Sequence, residues 1–121
     1  MGSEDRIKVL WVSRHAPSSQ ALQELQGLVG EYQLLWNRDP VQDIPSLSKG
    51  LGPQDQIVAT LPLDMLEQLI YLAASQGMSP ILRPVMRHRG SDGNVERWEF
   101  VGFEEVLEAR VRSRRVGTWA R

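Results

Sequence analysis

The sequence predicts an α/β fold: a mainly parallel, doubly wound sheet of order 2-1-3-4 with a C-terminal antiparallel hairpin and strand. Three observations predict it. "IKVLWV", residues 7–12, is almost uninterrupted apolar and β-prone, as a strand covered on both faces should be. "DQIVATLPLDMLEQLIYLAASQG", residues 55–77, repeats the same passage from apolar strand to amphipathic helix. "GSDGN", residues 90–94, supplies hairpin-turn chemistry between two β-prone segments.

The elements follow in order. After the first strand and Pro17, Ser18 or Ser19 serves as an N-cap for a helix whose apolar stripe is Leu22, Leu25, Leu28 and Val29, with Gly30 as its stop. "EYQLLW", residues 31–36, is the second strand. Asn37 to Pro53 carries three prolines and two glycines among polar residues and reads as a linking loop with room for one helical turn. The third strand spans Gln56 to Ala59 and breaks at Thr60 to Pro62. The helix that follows runs to Gln76, buries Leu63, Leu66, Leu69, Ile70 and Ala73, and holds Asp64 and Glu67 in its first turns, where the helix dipole favours acids. "SPILRPVMRHR" is the fourth strand; Pro84 inside it interrupts the amide ladder on one side and places it near an edge. "VERWEFVGF" completes the hairpin. "VLEARVRSR" alternates Leu107, Ala109 and Val111 with charged residues, as a half-buried last strand would.

With 121 residues and 41% apolar content, the chain is expected to form one domain over residues 1–121. The absence of cysteine excludes disulfides, thiolate nucleophiles and cysteine-based metal sites. No stretch approaches the length of a membrane span, and "MGSEDRIK" lacks the hydrophobic region of a signal peptide, so a soluble cytoplasmic protein without a membrane partner is expected. A net charge of -1 conceals an asymmetry: residues 1–79 hold five Lys/Arg against nine acids, and residues 80–121 hold nine Arg against six. Twelve of the fourteen basic residues are Arg, which suits bidentate recognition of phosphate or carboxylate but also follows from a GC-rich coding bias.

Right-handed crossovers place strands two and three on opposite sides of strand one, and the ligand crevice of such a sheet opens where the winding reverses, at the carboxyl ends of strands one and three. Those ends are Ser13-Arg14-His15 and Thr60-Leu61-Pro62. Ser13 and Thr60 bring hydroxyls, Arg14 a permanent cation, and His15 a ring able to move protons near neutral pH. The helix N-termini that follow favour an anion. Arg83, Arg87, His88 and Arg89 form a second cluster; alternation sets the three arginines on one face and His88 on the other. Arg83 and Arg87 are either ligand contacts at the end of strand four or part of a solvated arm. Arg110, Arg112 and Arg114 form a basic face without the interleaved aromatics of a nucleic-acid surface, so no long nucleic acid is expected.

The GxxxxGK[ST] and GxGxxG motifs are both absent, and two histidines without HExxH argue against a metal site. Asp64 and Glu67 read as dipole partners, and Trp11 and Trp36 as core.

"WVSRHAPS", residues 11–18, followed by "QIVATLPLDML", residues 56–66, resembles the small stand-alone CRISPR-associated proteins whose first strand ends in V-S-R-H and whose later strand ends in T-L-P. Members of that group are similar to reduced CARF domains, the Rossmann-like sensors of cyclic oligoadenylates in type III CRISPR systems, and several are ring nucleases. The resemblance covers residues 7 to 75. It implies a Rossmann-like (CARF-like) fold, no cofactor, and a homodimer that pairs two crevices around a symmetric ring such as cA4 or cA6. It further implies that Ser13, Arg14, His15, Thr60 and the backbone around Leu61 and Pro62 contact a ring phosphate or ribose. Arg14 would stabilise developing charge, His15 would shuttle the proton, and Ser13 and Thr60 would orient the phosphate. The C-terminal third has no counterpart in the resemblance. Three functions follow as expectations: a metal-independent ring nuclease, a non-catalytic CARF-type sensor, or an unrelated interaction domain that uses its Arg-rich strand.

Overall fold

The computed structural model describes residues 6–109. Its elements are β1 (Ile7–Val12), α1 (Ser19–Val29), β2 (Tyr32–Asn37), the short α2 (Ile44–Leu47), β3 (Gln56–Ala59), α3 (Leu63–Ser75), β4 (Ile81–Asp92) and β5 (Val95–Val106). They build a mixed α/β sheet of order β2-β1-β3-β4-β5, parallel as far as β4 and antiparallel at β5. The expected order and the C-terminal hairpin are both present.

The apolar run of β1 is explained by its position between β2 and β3, with helices above and below. Side chains alternate across the strand. Val9 and Trp11 pack toward Ala21 and Leu25 of α1, whereas Leu10 and Val12 pack toward Ile44, Leu47, Leu66, Leu69 and Ala73 of α2 and α3. All four residues of β3 are buried. Burying a side chain such as Leu25 contributes about 1.5–3 kcal/mol, and these two layers supply most of the driving force for the sheet.

Helix α1 starts where Ser18 Oγ accepts the Ala21 amide at 3.1 Å. It ends at Gly30, whose φ of 80° a side chain would resist, and whose amide donates to Gln26 O at 2.9 Å. Its buried stripe differs from the expected one. Leu25 and Ala21 are buried, Leu22 and Val29 half-buried, and Leu28 is 55% exposed. Three residues beyond Leu25, Leu28 has turned about 60° away from the sheet-facing direction, and the helix ends before another turn can cover it. On α3, Leu66, Leu69 and Ala73 are buried, while Leu63 in the first turn is 47% exposed.

The other end of the sheet is tied by two buried polar residues. Asp55 accepts the amides of Lys8 at 2.8 Å and Gly52 at 2.7 Å, and Gln56 Nε2 donates to Pro80 O at 2.8 Å. These bonds fix the starts of β1, β3 and β4 relative to one another.

Strand β4 meets β3 only at Leu82, opposite Val58. Beyond that point β4 and β5 continue as a two-stranded arm, and Pro84 stands in this arm, where no third strand requires its amide. The arm turns through Gly93 and Asn94, with φ 64° at Gly93. β5 runs on to Val106, so the expected separate last strand is not formed at Leu107 to Ala109, which carry no regular structure. The remainder of that expected strand, with Arg110, Arg112 and Arg114, lies outside the described residues. Within residues 80–109 four Arg face six acids, so the basic excess of the C-terminal part belongs to residues 110–121. Among the described residues no helix is long and apolar enough to cross a membrane.

Candidate functional site

The loop from Ser13 to Ser18 leaves β1 at the carboxyl end of the sheet, and its backbone groups need partners there. Two tryptophans provide them. Trp36 Nε1 donates to Ser13 O and Trp11 Nε1 to His15 O, each at 2.9 Å. The Ser13 amide donates to Asn37 O at 3.2 Å, and Ser13 Oγ accepts the His15 amide at 3.1 Å. Trp11 is a core residue, as expected, at 4% exposure. Trp36 is not: it is 40% exposed, and the Arg38 guanidinium carbon lies 5.1 Å from its ring centroid. Trp36 lies at the carboxyl end of β2, past Tyr32 and Leu34, which pack against the α1 layer on the same face, and its indole serves the loop instead.

The second junction is adjacent. Thr60, at the end of β3, donates its amide to Val12 O at 2.9 Å. Ser13, His15 and Thr60 accordingly line one cleft of about 410 Å³, with Ala16 and Ser18 from the same loop. Its opposite wall is Pro84, Met86, Trp98 and Phe100 from the hairpin arm, and Trp11 and Ala21 lie at its base. The volume falls within the usual range for small-molecule sites, about 300–1,000 Å³.

The other predicted residues lie around this cleft rather than in it. Arg14 is exposed between Ser13 and His15 and does not line it. Leu61 packs into the α2–α3 layer on the other side of the sheet, and Pro62 is the exposed N-cap of α3. Arg83 and Arg87 occupy the outer face of the arm. Arg83 pairs with Glu104, and Arg87 and Arg89 both reach Glu99, at 3.1 Å and 3.2 Å. Arg97 likewise meets Asp92 at 3.4 Å. The arm's cations are thus matched by acids across the hairpin, whereas Arg14 and His15 have no side-chain partner among the described residues.

Reading the sequence missed the apolar wall. A signal for it was present: Pro84, Met86 and His88 alternate along one strand and Trp98, Phe100 and Phe103 along the other, more apolar surface than a solvated arm requires. The bulge between Val85 and Met86, with Val101 as the extra residue of β5, keeps Phe103 on the same face as Phe100 and Trp98.

Chemically, the cleft is polar at one end and apolar at the other. With Ser13 Oγ accepting from His15, its hydroxyl hydrogen remains to donate, and Thr60 and the His15 ring add further hydrogen-bonding groups. α1 carries no acid in its first turn that would offset its dipole, while α3 carries Asp64. This end suits an anionic group, and the apolar end suits a flat ring. In comparisons with protein-family models, curated proteins and solved structures, nothing matches the chain.

Proposed function

We propose that the chain is a Rossmann-like (CARF-like) ring nuclease that binds a cyclic oligoadenylate, cA4 or cA6, in this cleft and opens it without metal, acting in the cytoplasm on a type III CRISPR signal. The observation that carries the reading is the meeting of Ser13, His15 and Thr60 in one cleft at the carboxyl ends of two adjacent central strands, where such a sheet places its ligands. A cleft of about 410 Å³ suits one nucleotide unit better than a whole ring, so two copies of the chain share the ligand across a two-fold axis.

In the proposed reaction a ribose 2'-oxygen attacks the adjacent phosphorus, the bond from phosphorus to the 5'-oxygen breaks, and the proton lost by the 2'-hydroxyl ends on that 5'-oxygen. The products are a linear chain with a 2',3'-cyclic phosphate at one end and a 5'-hydroxyl at the other. Ser13 and Thr60 hold the phosphate, Arg14 at the rim balances the charge that builds on its oxygens, and His15 carries the proton.

A second reading, a sensor that binds the ring without cutting it, is favoured by one observation: the His15 ring has no orienting side chain among the described residues, and a general base is ordinarily held by one. Incubation with cA4 and cA6 in the presence of EDTA, followed by chromatography, separates the two. Linear products support the nuclease. Tight binding of a ring that stays intact replaces it with the sensor, and no binding at micromolar protein rejects both.

A further inference from the structure

We infer that the inner face of the β4–β5 arm is a nucleobase platform, on which Trp98 stacks against the base of a nucleotide whose phosphate meets Ser13, His15 and Thr60. The inference rests on reading the cleft as a nucleotide site, and it assigns a role to the arm, which carries no part of the VSRH and TLP junctions.

The two faces of the arm are built differently. On the outer face Arg83, Arg87 and Arg89 are matched by Glu104 and Glu99. The inner face between the two bulges carries Met86, Phe100 and Trp98 beside His88, and part of this apolar surface is left in water: Trp98 is 59% exposed and Met86 47%. Exposed indole and thioether surface beside a cleft is unfavourable unless something covers it.

The arm that carries the indole is itself fixed to the sheet. Phe100 meets Phe103 edge to face at 4.9 Å and 63°, and Phe103 meets the core residue Trp11 at 6.1 Å and 79°. This chain of rings anchors the arm to the sheet. At its outer end the His88 ring packs edge-on to Trp98 at 5.0 Å and 65°, and the His88 ring is itself paired with the Glu96 carboxylate. Trp98 lines the cleft, in T-shaped contact with this imidazole.

The occupant follows from the cleft's two ends. A ligand that satisfies both must join a flat π-face to an anion over the width of one small cleft, which is the construction of a nucleotide. Stacking on an indole tolerates any base, so the platform supplies affinity and leaves base identity to other contacts.

The test titrates wild-type protein, Trp98→Ala and Trp98→Phe with AMP, ribose 5-phosphate and cA4 by calorimetry. AMP is expected to bind wild type about tenfold or more tightly than ribose 5-phosphate. Trp98→Ala weakens AMP and cA4 by about tenfold or more, and Trp98→Phe restores most of that loss. Equal AMP affinity in wild type and Trp98→Ala, or equal affinity for AMP and ribose 5-phosphate, overturns the platform. If AMP binding depends on Trp98 but the ring is not bound, the platform stands and the ring reading falls. If cA4 binds without regard to Trp98, the reverse holds, and if no probe binds wild type at millimolar concentration both fall.

Discussion

Trp11, buried in β1, donates its Nε1 hydrogen to the carbonyl of His15 at 2.9 Å, so a core side chain sets where the polar loop lies. Trp11→Phe keeps much of the packing and leaves that carbonyl without its donor. The expected loss is about 1–3 kcal/mol in urea unfolding, together with faster amide exchange in the loop around His15. Unchanged exchange there would show that the bond does not hold the loop.

Arg14→Ala is expected to abolish or strongly weaken binding of cyclic oligoadenylate, because among the described residues this guanidinium has no acid partner and is available to a ligand. Wild-type affinity and turnover in the variant would remove Arg14 from the site. His15→Ala should lower cleavage more than binding; equal losses would reduce it to a binding residue.

Arg83→Ala and Arg87→Ala are expected to leave ligand binding within about twofold and to cost under about 1 kcal/mol each, since both ion pairs are exposed and face away from the cleft. A large loss of affinity in either would place the outer face of the arm in the binding surface.

The facing of α1 is tested by a pair of variants. Leu25→Ala should cost about 2–5 kcal/mol in chemical denaturation, and Leu28→Ala should stay within about 0.5 kcal/mol. Comparable losses would mean that the helix is rotated relative to the structure described.

Tyr32 donates its hydroxyl hydrogen to Leu22 O at 3.0 Å, and burial raises its pKa above the ordinary 10.0. The folded state then holds this proton more tightly than the unfolded chain, so the contribution is fully present below pH 10.0 and is lost as pH rises through the higher folded value. Tyr32→Phe should cost about 1 kcal/mol at neutral pH and flatten the alkaline decline of stability. An unchanged slope above pH 10.0 would assign that decline to other groups.

Much of the fold is legible because its signals are local. The unbroken apolar run of β1, Ser18 before α1, Gly30 after it and the turn at Gly93 each reflect a backbone or burial requirement met within a few residues. The order of the strands follows from crossover geometry acting on those elements. Leu28 and Trp36 were harder to read, because whether a large apolar residue is covered depends on where the neighbouring layer ends.

By itself the sequence determined the α/β class, the strand order and the two junctions that supply Ser13, His15 and Thr60, since periodicity, caps and connection rules operate along the chain. Only the tertiary structure decided what faces them. Alternation sets Met86, Trp98 and Phe100 on the cleft side and Arg83 and Arg87, bound to glutamates, on the other, and Val101, the extra residue of a bulge, turns Phe103 to the same side as Phe100. The physical reason is that a hairpin has two faces of equal standing until one of them packs, and that choice is made by Phe103 against Trp11, residues separated by most of the chain.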